Sequence, residues 1–406
     1  MRFPIIKGLF PLLLVVLAAC SDSTSTKTGQ AAAPPVATPD TVAAALPAAP
    51  EPVVPDTSAT HNVAAYLAGL RVSEQSDLKP LAAQPAWQAY ATDADKSWDK
   101  YHSTRTAKIE GWAATELDSV RAASPTIFYP FSGPDFLNVT TMFPTSQTYV
   151  LMGLEPVGTV PARATLENAK LFSALKASLW SVLNFSFFRT NAMAVDLKSV
   201  ELDGALPLML LFATRTHHQV EAIRYVQLTS EGQLTEADSA TIRKPGPKHV
   251  PGVEMKLRTQ NGQEKTVLYF SVDISDWKLS TTQEAALKYV RTLGPLTTYV
   301  KSATYLMHKS YFSKVRNLVL ERSNYVLQDD SGIAMKYFTP TNWQFTYYGT
   351  YKRPINLFAK QYQPELTAAY TDKAHPPRPL PFGTGYNWRE NDSNLLLAHR
   401  TTPVQQ

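Results

Sequence analysis

At 406 residues the chain is long enough to bury a large hydrophobic core, and its single cysteine, Cys20, leaves no pair for an internal disulfide. Its formal net charge is only +5, from 39 basic and 34 acidic residues, and no run of five like charges occurs. Nucleic acid is therefore not an expected partner, because proteins that bind it usually concentrate Lys and Arg on one face.

The first nineteen residues follow the layout of a secretory signal peptide. Arg2 and Lys7 give a positively charged start, and residues 8–19 form an apolar stretch that ends in small residues. That stretch is too short to span a bilayer core, which needs about 20 residues. Its last three residues and the cysteine that follows form the sequence Leu17-Ala18-Ala19-Cys20.

This motif resembles the lipobox of bacterial lipoproteins, in which the cysteine receives acyl chains such as palmitate and becomes the first residue of the mature protein. The resemblance implies a signal peptide over residues 1–19 and a lipid anchor on Cys20. Serine at the second mature position, Ser21, implies the outer membrane, with the protein facing the periplasm or the cell surface. The resemblance covers about the first 20 residues and implies no activity.

Residues 20–60 are expected to form a disordered tether. Between residues 21 and 60 there is no aromatic side chain, and seven prolines interrupt an Ala/Ser/Thr background. Such a segment cannot bury enough apolar surface to offset the entropy of ordering it. We expect one globular domain over residues 61–406, with the folded chain beginning between Ala59 and Tyr66.

The mature chain contains helical and strand-like segments in turn. Residues 62–122 are predicted to be helical, and residues 126–129 and 148–154 to be short strands bounded by Pro and Gly. Residues 165–188 are predicted to form a long helix, because its leucines recur at helical spacing along one face. The apolar run 206–213 is too short to cross a membrane and is expected to be a buried strand or a core helix.

Turn residues predict two hairpins further along the chain. Asn261-Gly262 separates residues 253–260 from residues 263–272, which favours a two-residue turn with positive φ at both positions. A second hairpin is predicted over residues 324–338, turning at residues 329–332.

A helix start and the overall fold class follow from the remaining pattern. Thr281-x-x-Glu284 has the spacing of a capping box and predicts a helix over residues 285–293.

Helices and hairpins interleave without a regular strand–helix–strand alternation. The expected fold is therefore α+β, with a largely antiparallel sheet built from hairpins and several helices packed on it.

No cofactor or metal is expected. With Cys20 acylated, the folded part has no thiolate ligand. His217-His218-x-x-Glu221 lacks the further histidine that the inverted zinc-protease motif requires after the glutamate. No nucleophile elbow, phosphate-binding glycine loop or dinucleotide fingerprint occurs either.

The weak candidates for catalysis are His308, Asp329 and Asp330. Adjacent carboxylates with a histidine can act as acid and base when their pKa values are split. Two adjacent Asp residues before Ser-Gly are also ordinary turn chemistry, in which the side chains bond nearby backbone amides. Both interpretations stand at this point, with the turn preferred.

The C-terminal third is rich in aromatic residues. Between Tyr299 and Trp388 there are eighteen aromatic residues, of which eleven are Tyr. Amphipathic rings of this kind form binding faces for glycans or extended peptides, although they also favour strands and core edges. Alternation along residues 343–351 places Trp343 in the core and Tyr348 on the exposed face. The candidate ligand-binding residues are Tyr347, Tyr348, Tyr351 and Trp388.

These features favour a lipid-anchored cell-envelope protein with a non-catalytic binding role. Its expected partners are the membrane, through the lipid anchor, and a glycan, peptide or envelope protein that meets the aromatic region. Two alternatives remain: an envelope hydrolase that uses His308 with Asp329 or Asp330, and a structural component of an envelope assembly.

Overall fold

A computed structural model of the protein describes residues 58–185, 200 and 202–404. The predicted signal peptide, the lipobox with Cys20 and the tether up to residue 57 lie outside the described residues. Fourteen α-helices and ten strands form in the part that is described. The helices are α1 (Ala59–Ala68), α2 (Lys79–Ala82), α3 (Pro85–Tyr101), α4 (Ala107–Glu116), α5 (Asp118–Ala122), α6 (Phe136–Met142), α7 (Arg163–Leu166), α8 (Leu171–Phe185), α9 (Leu206–Arg215), α10 (Ser239–Arg243), α11 (Asp276–Thr281), α12 (Glu284–Arg291), α13 (Ser313–Arg322) and α14 (Pro364–Tyr370).

All ten strands belong to one sheet. They are β1 (Thr126–Tyr129), β2 (Thr148–Gly153), β3 (His218–Leu228), β4 (Leu234–Glu236), β5 (Val250–Thr259), β6 (Glu264–Ser271), β7 (Leu296–Val300), β8 (Ser323–Gln328), β9 (Trp343–Gly349) and β10 (Asn394–Arg400). Their order in the sheet is β4-β3-β5-β6-β2-β1-β7-β8-β10-β9. Five of the nine pairings are antiparallel, which confirms the α+β class with an antiparallel majority.

The centre of the sheet is parallel, which hairpin signals did not predict. Strands β6, β2, β1, β7 and β8 pair in parallel. Parallel neighbours need crossover connections, and α6 supplies the one between β1 and β2 while α13 supplies the one between β7 and β8. In the sheet, β2 lies on one side of β1, whereas β8 lies on the opposite side of β7. The strand order therefore reverses between β1 and β7, and this is where open sheets of this kind bind ligands.

Both faces of the sheet are covered by helices. Ile127 and Tyr129 of β1 face a hydrophobic core that includes residues of α1, α3, α4, α8 and α9. Phe128 faces a second core that includes residues of α11, α12 and α13. Alternate side chains of the central strands are thus buried on opposite faces. The apolar run 206–213 is a core helix, because α9 is buried from Leu206 to Thr214.

The helical N-terminal region is confirmed, with a small shift at its start. Ser58 caps α1 by accepting a hydrogen bond from the His61 amide at 3.1 Å. Residues 58–60, predicted to end the tether, therefore belong to the cap and first turn of α1. The long helix predicted over residues 165–188 is two helices, α7 and α8, separated by a turn in which the Asn168 side chain accepts from the Lys170 amide. Its last three residues lie outside the described part.

The two hairpin predictions have different outcomes. Strands β5 and β6 form the hairpin predicted at Asn261-Gly262, but only Gly262 has positive φ, at 83°. The last paired residues are Arg258 and Glu264, so the connection is longer than two residues. The second hairpin is wrong, because β8 pairs with β7 and β10 instead of with the next segment of chain.

The predicted capping box is also wrong. Thr281 is the last residue of α11, and its hydroxyl donates to the Trp277 carbonyl at 2.9 Å. Gln283 occupies the cap position of α12 without a side-chain hydrogen bond to the helix. Among the described residues no helix is both long enough and apolar enough to cross a membrane.

Candidate functional site

A cavity of about 630 Å³ lies at the carboxyl-end edge of the parallel strands. Loops that follow β1, β2, β6 and β7 form its walls, so it spans the point at which the strand order reverses. Its size is typical of small-molecule sites. Polar groups on the wall are contributed by Tyr129, Asp135, Glu155, Asp273, Lys301, Ser302 and Tyr386.

The deepest polar group of the cavity is a buried ion pair between Asp135 and Lys301. The Asp135 Oδ2 and Lys301 Nζ atoms are 2.8 Å apart, and each side chain is only 1% exposed. Tyr129 donates its hydroxyl to the same Asp135 oxygen at 3.0 Å. Burial lowers the pKa of Lys301, although the charge of Asp135 opposes that effect. The pair ties the loop after β1 to the loop after β7.

Glu155 and Asp273 present carboxylate oxygens to the cavity. The Tyr269 hydroxyl donates to the Glu155 backbone carbonyl at 2.8 Å, and the same hydroxyl lies 3.3 Å from Glu155 Oε2. Asp273 Oδ1 accepts from the Ser275 amide at 2.9 Å. Within the described residues, Glu155 Oε1 and Asp273 Oδ2 accept no hydrogen bond. Glycine is required at position 153 in this wall, because a Cβ there would lie 2.8 Å from the Cα atom of Gly133 on the neighbouring loop.

A third polar group without a partner is the Ser302 hydroxyl. Its Oγ atom is buried and makes no hydrogen bond to any described residue. Buried hydroxyls are nearly always hydrogen-bonded in folded proteins, to the protein itself, to water or to a ligand. Ser302 therefore leaves one buried polar atom of the cavity wall without a partner among the described residues.

The loops around the cavity hold a strained backbone. Six non-glycine residues in the described chain have positive φ, and four of them follow β1 or β7 directly. They are Phe131, Ser302, Thr304 and Tyr305, with φ between 54° and 59°. Such conformations cost about 1–3 kcal/mol each and persist only where the surroundings impose them, which is frequent at functional sites.

Asp329 and Asp330 follow β8 and stabilise these loops instead of lining the cavity. Asp329 Oδ2 accepts from the Ser302 amide at 2.8 Å, and its Oδ1 accepts from the Ser331 amide at 2.9 Å. Asp330 accepts from Asn394 Nδ2 at 3.1 Å and from the Tyr305 hydroxyl. The bond from the Ser331 amide to Asp329 is that of the turn interpretation, and Asp330 joins the segments after β7 and β8 to the start of β10.

Burial raises the pKa of both carboxyls. For Asp329 the hydrogen bonds from Ser331 and Ser302 act in the opposite direction. The pKa of Asp330 rises to about 7, through burial and then through the negative charge of Asp329.

His308 does not complete an acid–base pair with either aspartate. Its ring packs edge-on against Tyr305, with ring centroids 5.1 Å apart. Burial lowers the pKa of His308 to about 4, so the ring is neutral near pH 7. The Asp330 carboxylate is occupied by Tyr305 and Asn394, and neither aspartate carboxylate is hydrogen-bonded to His308.

The exposure predicted for Tyr348 is wrong. Tyr348 is 1% exposed, and its ring packs edge-on against Trp112 of α4 with centroids 4.8 Å apart. The prediction assumed that one face of this strand meets solvent, but α4 covers that face. Trp343 is buried at 4% exposure, as predicted, on the opposite face.

The other predicted ligand-binding residues lie apart from the cavity. Tyr351 is buried, and Tyr347 is partly buried against Tyr370 with ring centroids 5.2 Å apart. Trp388 is partly buried and lines a neighbouring cavity of about 510 Å³. Tyr386 lines both cavities. The aromatic C-terminal third therefore meets the main cavity through Phe312, Phe358 and Tyr386, which were not among the predicted ligand-binding residues.

Sequence reasoning missed the polar residues of the cavity, although a signal for them was present. Asp135 follows the correctly predicted strand β1 after the turn Ser132-Gly133-Pro134, and Glu155 comes two residues after β2. Polar residues that follow parallel strands meet at one edge of the sheet. The signal was not used because the central strands were taken to be antiparallel.

Neither family models nor curated proteins match this sequence. In the part of the chain that the structure describes, no group of three or more His, Cys, Asp or Glu side chains is arranged to hold a metal ion.

Proposed function

We propose that this protein is a lipid-anchored cell-envelope protein that binds a sugar in the cavity without catalysing its reaction. The observation that carries the proposal is that Glu155 and Asp273, whose Oε1 and Oδ2 atoms accept no hydrogen bond from the described residues, line one cavity together with aromatic rings. Sugar hydroxyls donate to carboxylates, and the apolar C–H faces of a pyranose pack against rings such as those of Phe358 and Tyr386.

The charges in the cavity favour a ligand that donates hydrogen bonds. Lys301 is balanced by Asp135 at 2.8 Å, whereas Glu155 and Asp273 form no ion pair among the described residues. Two carboxylates without a paired cation repel an anionic ligand and favour hydroxyl donors.

The buried ion pair of Asp135 and Lys301 favours a binding role for the cavity over a catalytic one. The Asp135 and Lys301 side chains are each 1% exposed and bonded to each other. Their position suits a role in holding the loops in place beneath the ligand, and pre-organised loops reduce the entropy that binding costs.

The attachment to the membrane rests on the sequence of the N-terminus. Acyl chains on Cys20 would retain the protein at the membrane, and the proline-rich residues 21–57 would separate the folded part from it.

Isothermal titration calorimetry of the full chain with glucose, galactose, mannose and N-acetylglucosamine tests the proposal. We expect at least one of these sugars to bind, and Glu155→Ala or Asp273→Ala to weaken its affinity about tenfold, the loss of a charge-assisted hydrogen bond. Glu236→Gln, which neutralises an exposed acid on β4, is the matched control and should bind as wild type does. Absence of binding to all four sugars, or unchanged affinity in both cavity variants, would overturn the proposal.

A further inference from the structure

Besides its polar residues, the wall of the cavity carries many apolar side chains. Met152, Val272, Ile274, Leu306 and Phe312 line it together with Phe131 and Phe358. A free monosaccharide has no group that needs so much aliphatic surface. The lining therefore suits a ligand with a substantial apolar part.

Two leucines continue this apolar wall to the protein surface. Leu154 is 70% exposed and Leu357 is 80% exposed, and both line the cavity, so they lie at its opening. Leu154 follows β2 directly, next to Glu155, and Leu357 precedes Phe358 in a short 3-10 helix over residues 356–361. Exposed large apolar side chains that are grouped in this way mark interaction sites.

The same edge of the sheet carries further exposed apolar side chains. Six large hydrophobic residues of the described chain are exposed, and five of them lie in segments that leave this edge. Besides the two leucines these are Trp277, at 67% exposure after β6, Tyr311, at 56% exposure after β7, and Tyr362, at 48% exposure after β9. The Asp276 carboxylate accepts from the Ser313 amide at 3.0 Å, which holds the segments of Trp277 and Tyr311 together.

We infer that the ligand is an amphiphile with a sugar head group and an alkyl chain, a glycolipid in chemical class. The head group lies against Glu155 and Asp273, and the chain leaves the cavity between Leu154 and Leu357. This orientation follows from the position of the partner-free carboxylate oxygens inside the cavity and of the leucines at its opening. The inference rests on the proposed function and adds the apolar half of the ligand to it.

The test compares methyl, hexyl and octyl β-D-glucopyranoside by calorimetry with the full chain, each below its micelle-forming concentration. We expect affinity to rise at least about tenfold from the methyl to the octyl compound, because each buried methylene contributes up to about fourfold. In Leu154→Ser and Leu357→Ser that gain should fall below about threefold. Trp180→Ser, which removes a 53% exposed ring from α8, is the control and should keep the full gain.

The outcomes separate the two proposals. Equal affinity for methyl and octyl glucoside would overturn the amphiphile and leave the sugar site in place. A gain with chain length that both leucine variants retain would also overturn it, because the chain would then bind elsewhere. Absence of binding by every glucoside would overturn the amphiphile, and it would overturn the sugar site as well if glucose, galactose, mannose and N-acetylglucosamine also fail to bind. If octyltrimethylammonium bound more tightly than octyl glucoside, the head group would be cationic, and both the sugar site and the glycolipid would be overturned.

Discussion

Asp135 and Lys301 connect the two loops at which the strand order of the sheet reverses. Their charged atoms are 2.8 Å apart, and both side chains are 99% removed from solvent. Asp135 also accepts from the Asn138 amide at 3.1 Å and so caps α6. Because both charges are buried, the loss of either one leaves the other without compensation.

Lys301→Met should therefore lower the free energy of unfolding by about 3–5 kcal/mol, the cost of leaving one charge of a buried pair unpartnered. Urea denaturation of the full chain measures the change. Lys108→Met is the matched control, since Lys108 pairs with Glu390 on the surface and should contribute less than about 1 kcal/mol. The double variant Asp135→Asn/Lys301→Met should recover part of the loss, and a loss below about 1 kcal/mol in Lys301→Met would contradict this role.

Tyr348→Ala should destabilise the protein by about 3–5 kcal/mol, because it removes a buried ring that packs against Trp112. Thermal and urea unfolding measure the effect. Tyr348→Phe keeps the ring and should cost much less. If Tyr348→Ala unfolded like wild type, the packing of α4 against β9 would be wrong.

Features that depend on residues close together in the sequence could be predicted. Strand β1 was predicted with its observed bounds, Thr126–Tyr129, because Pro and Gly flank a β-branched and aromatic run. The hairpin at Asn261-Gly262 was also predicted correctly in position, although only Gly262 adopts positive φ. The short turn around Asp329 is local as well, since its carboxylate bonds Ser331 two residues later.

Features that depend on distant parts of the chain were not accessible. Whether Tyr348 is exposed depends on α4, which comes much earlier in the chain and covers that face of β9. On one side β8 pairs with β10, which comes after β9 in sequence. The turn residues within residues 324–338 therefore do not indicate that β8 pairs with the segment that follows it. The cavity brings together Asp135 and Lys301, which are far apart in sequence and meet across parallel strands. Local turn and periodicity signals carry no information about such pairings.

Stability should depend on Asp330 in a specific direction with pH. Its pKa is about 7 in the folded protein, against an ordinary value of 3.8. Between these two values the folded state holds a proton that the unfolded state has lost, so this group adds stability as pH falls from 7 towards 4. His308, whose pKa falls to about 4, acts in the opposite direction over a similar range, because unfolding exposes a ring that takes up a proton.

Asp330→Asn isolates the aspartate's part of this dependence. The variant's free energy of unfolding minus that of wild type should be larger at pH 8 than at pH 5, because only wild type then has to ionise a buried carboxyl. Urea denaturation at the two pH values measures it, with Asp118→Asn, an exposed acid at the start of α5, as the control. A difference that is the same at both pH values, or larger at pH 5, would contradict the raised pKa.

Cys20→Ser should release the protein from the membrane. The lipobox resemblance predicts acylation of this thiol, and the described residues contain no helix that would cross a membrane instead. Fractionation of the envelope measures the distribution, and Ser25→Ala in the same segment is the control. Membrane retention of the serine variant at the wild-type level would show that the anchor is not Cys20.

The central claim, that the cavity at the carboxyl-end edge of the sheet binds an amphiphilic sugar, is tested most directly by photo-crosslinking. An octyl glucoside that carries a diazirine on its alkyl chain is irradiated with the full chain, and the labelled peptides are identified by mass spectrometry. We expect label on the segments that contain Leu154, Ile274 and Leu357, and we expect unlabelled octyl glucoside to compete for it. Label on Trp343–Gly349 in place of these segments, or label that unlabelled octyl glucoside does not reduce, would contradict the account.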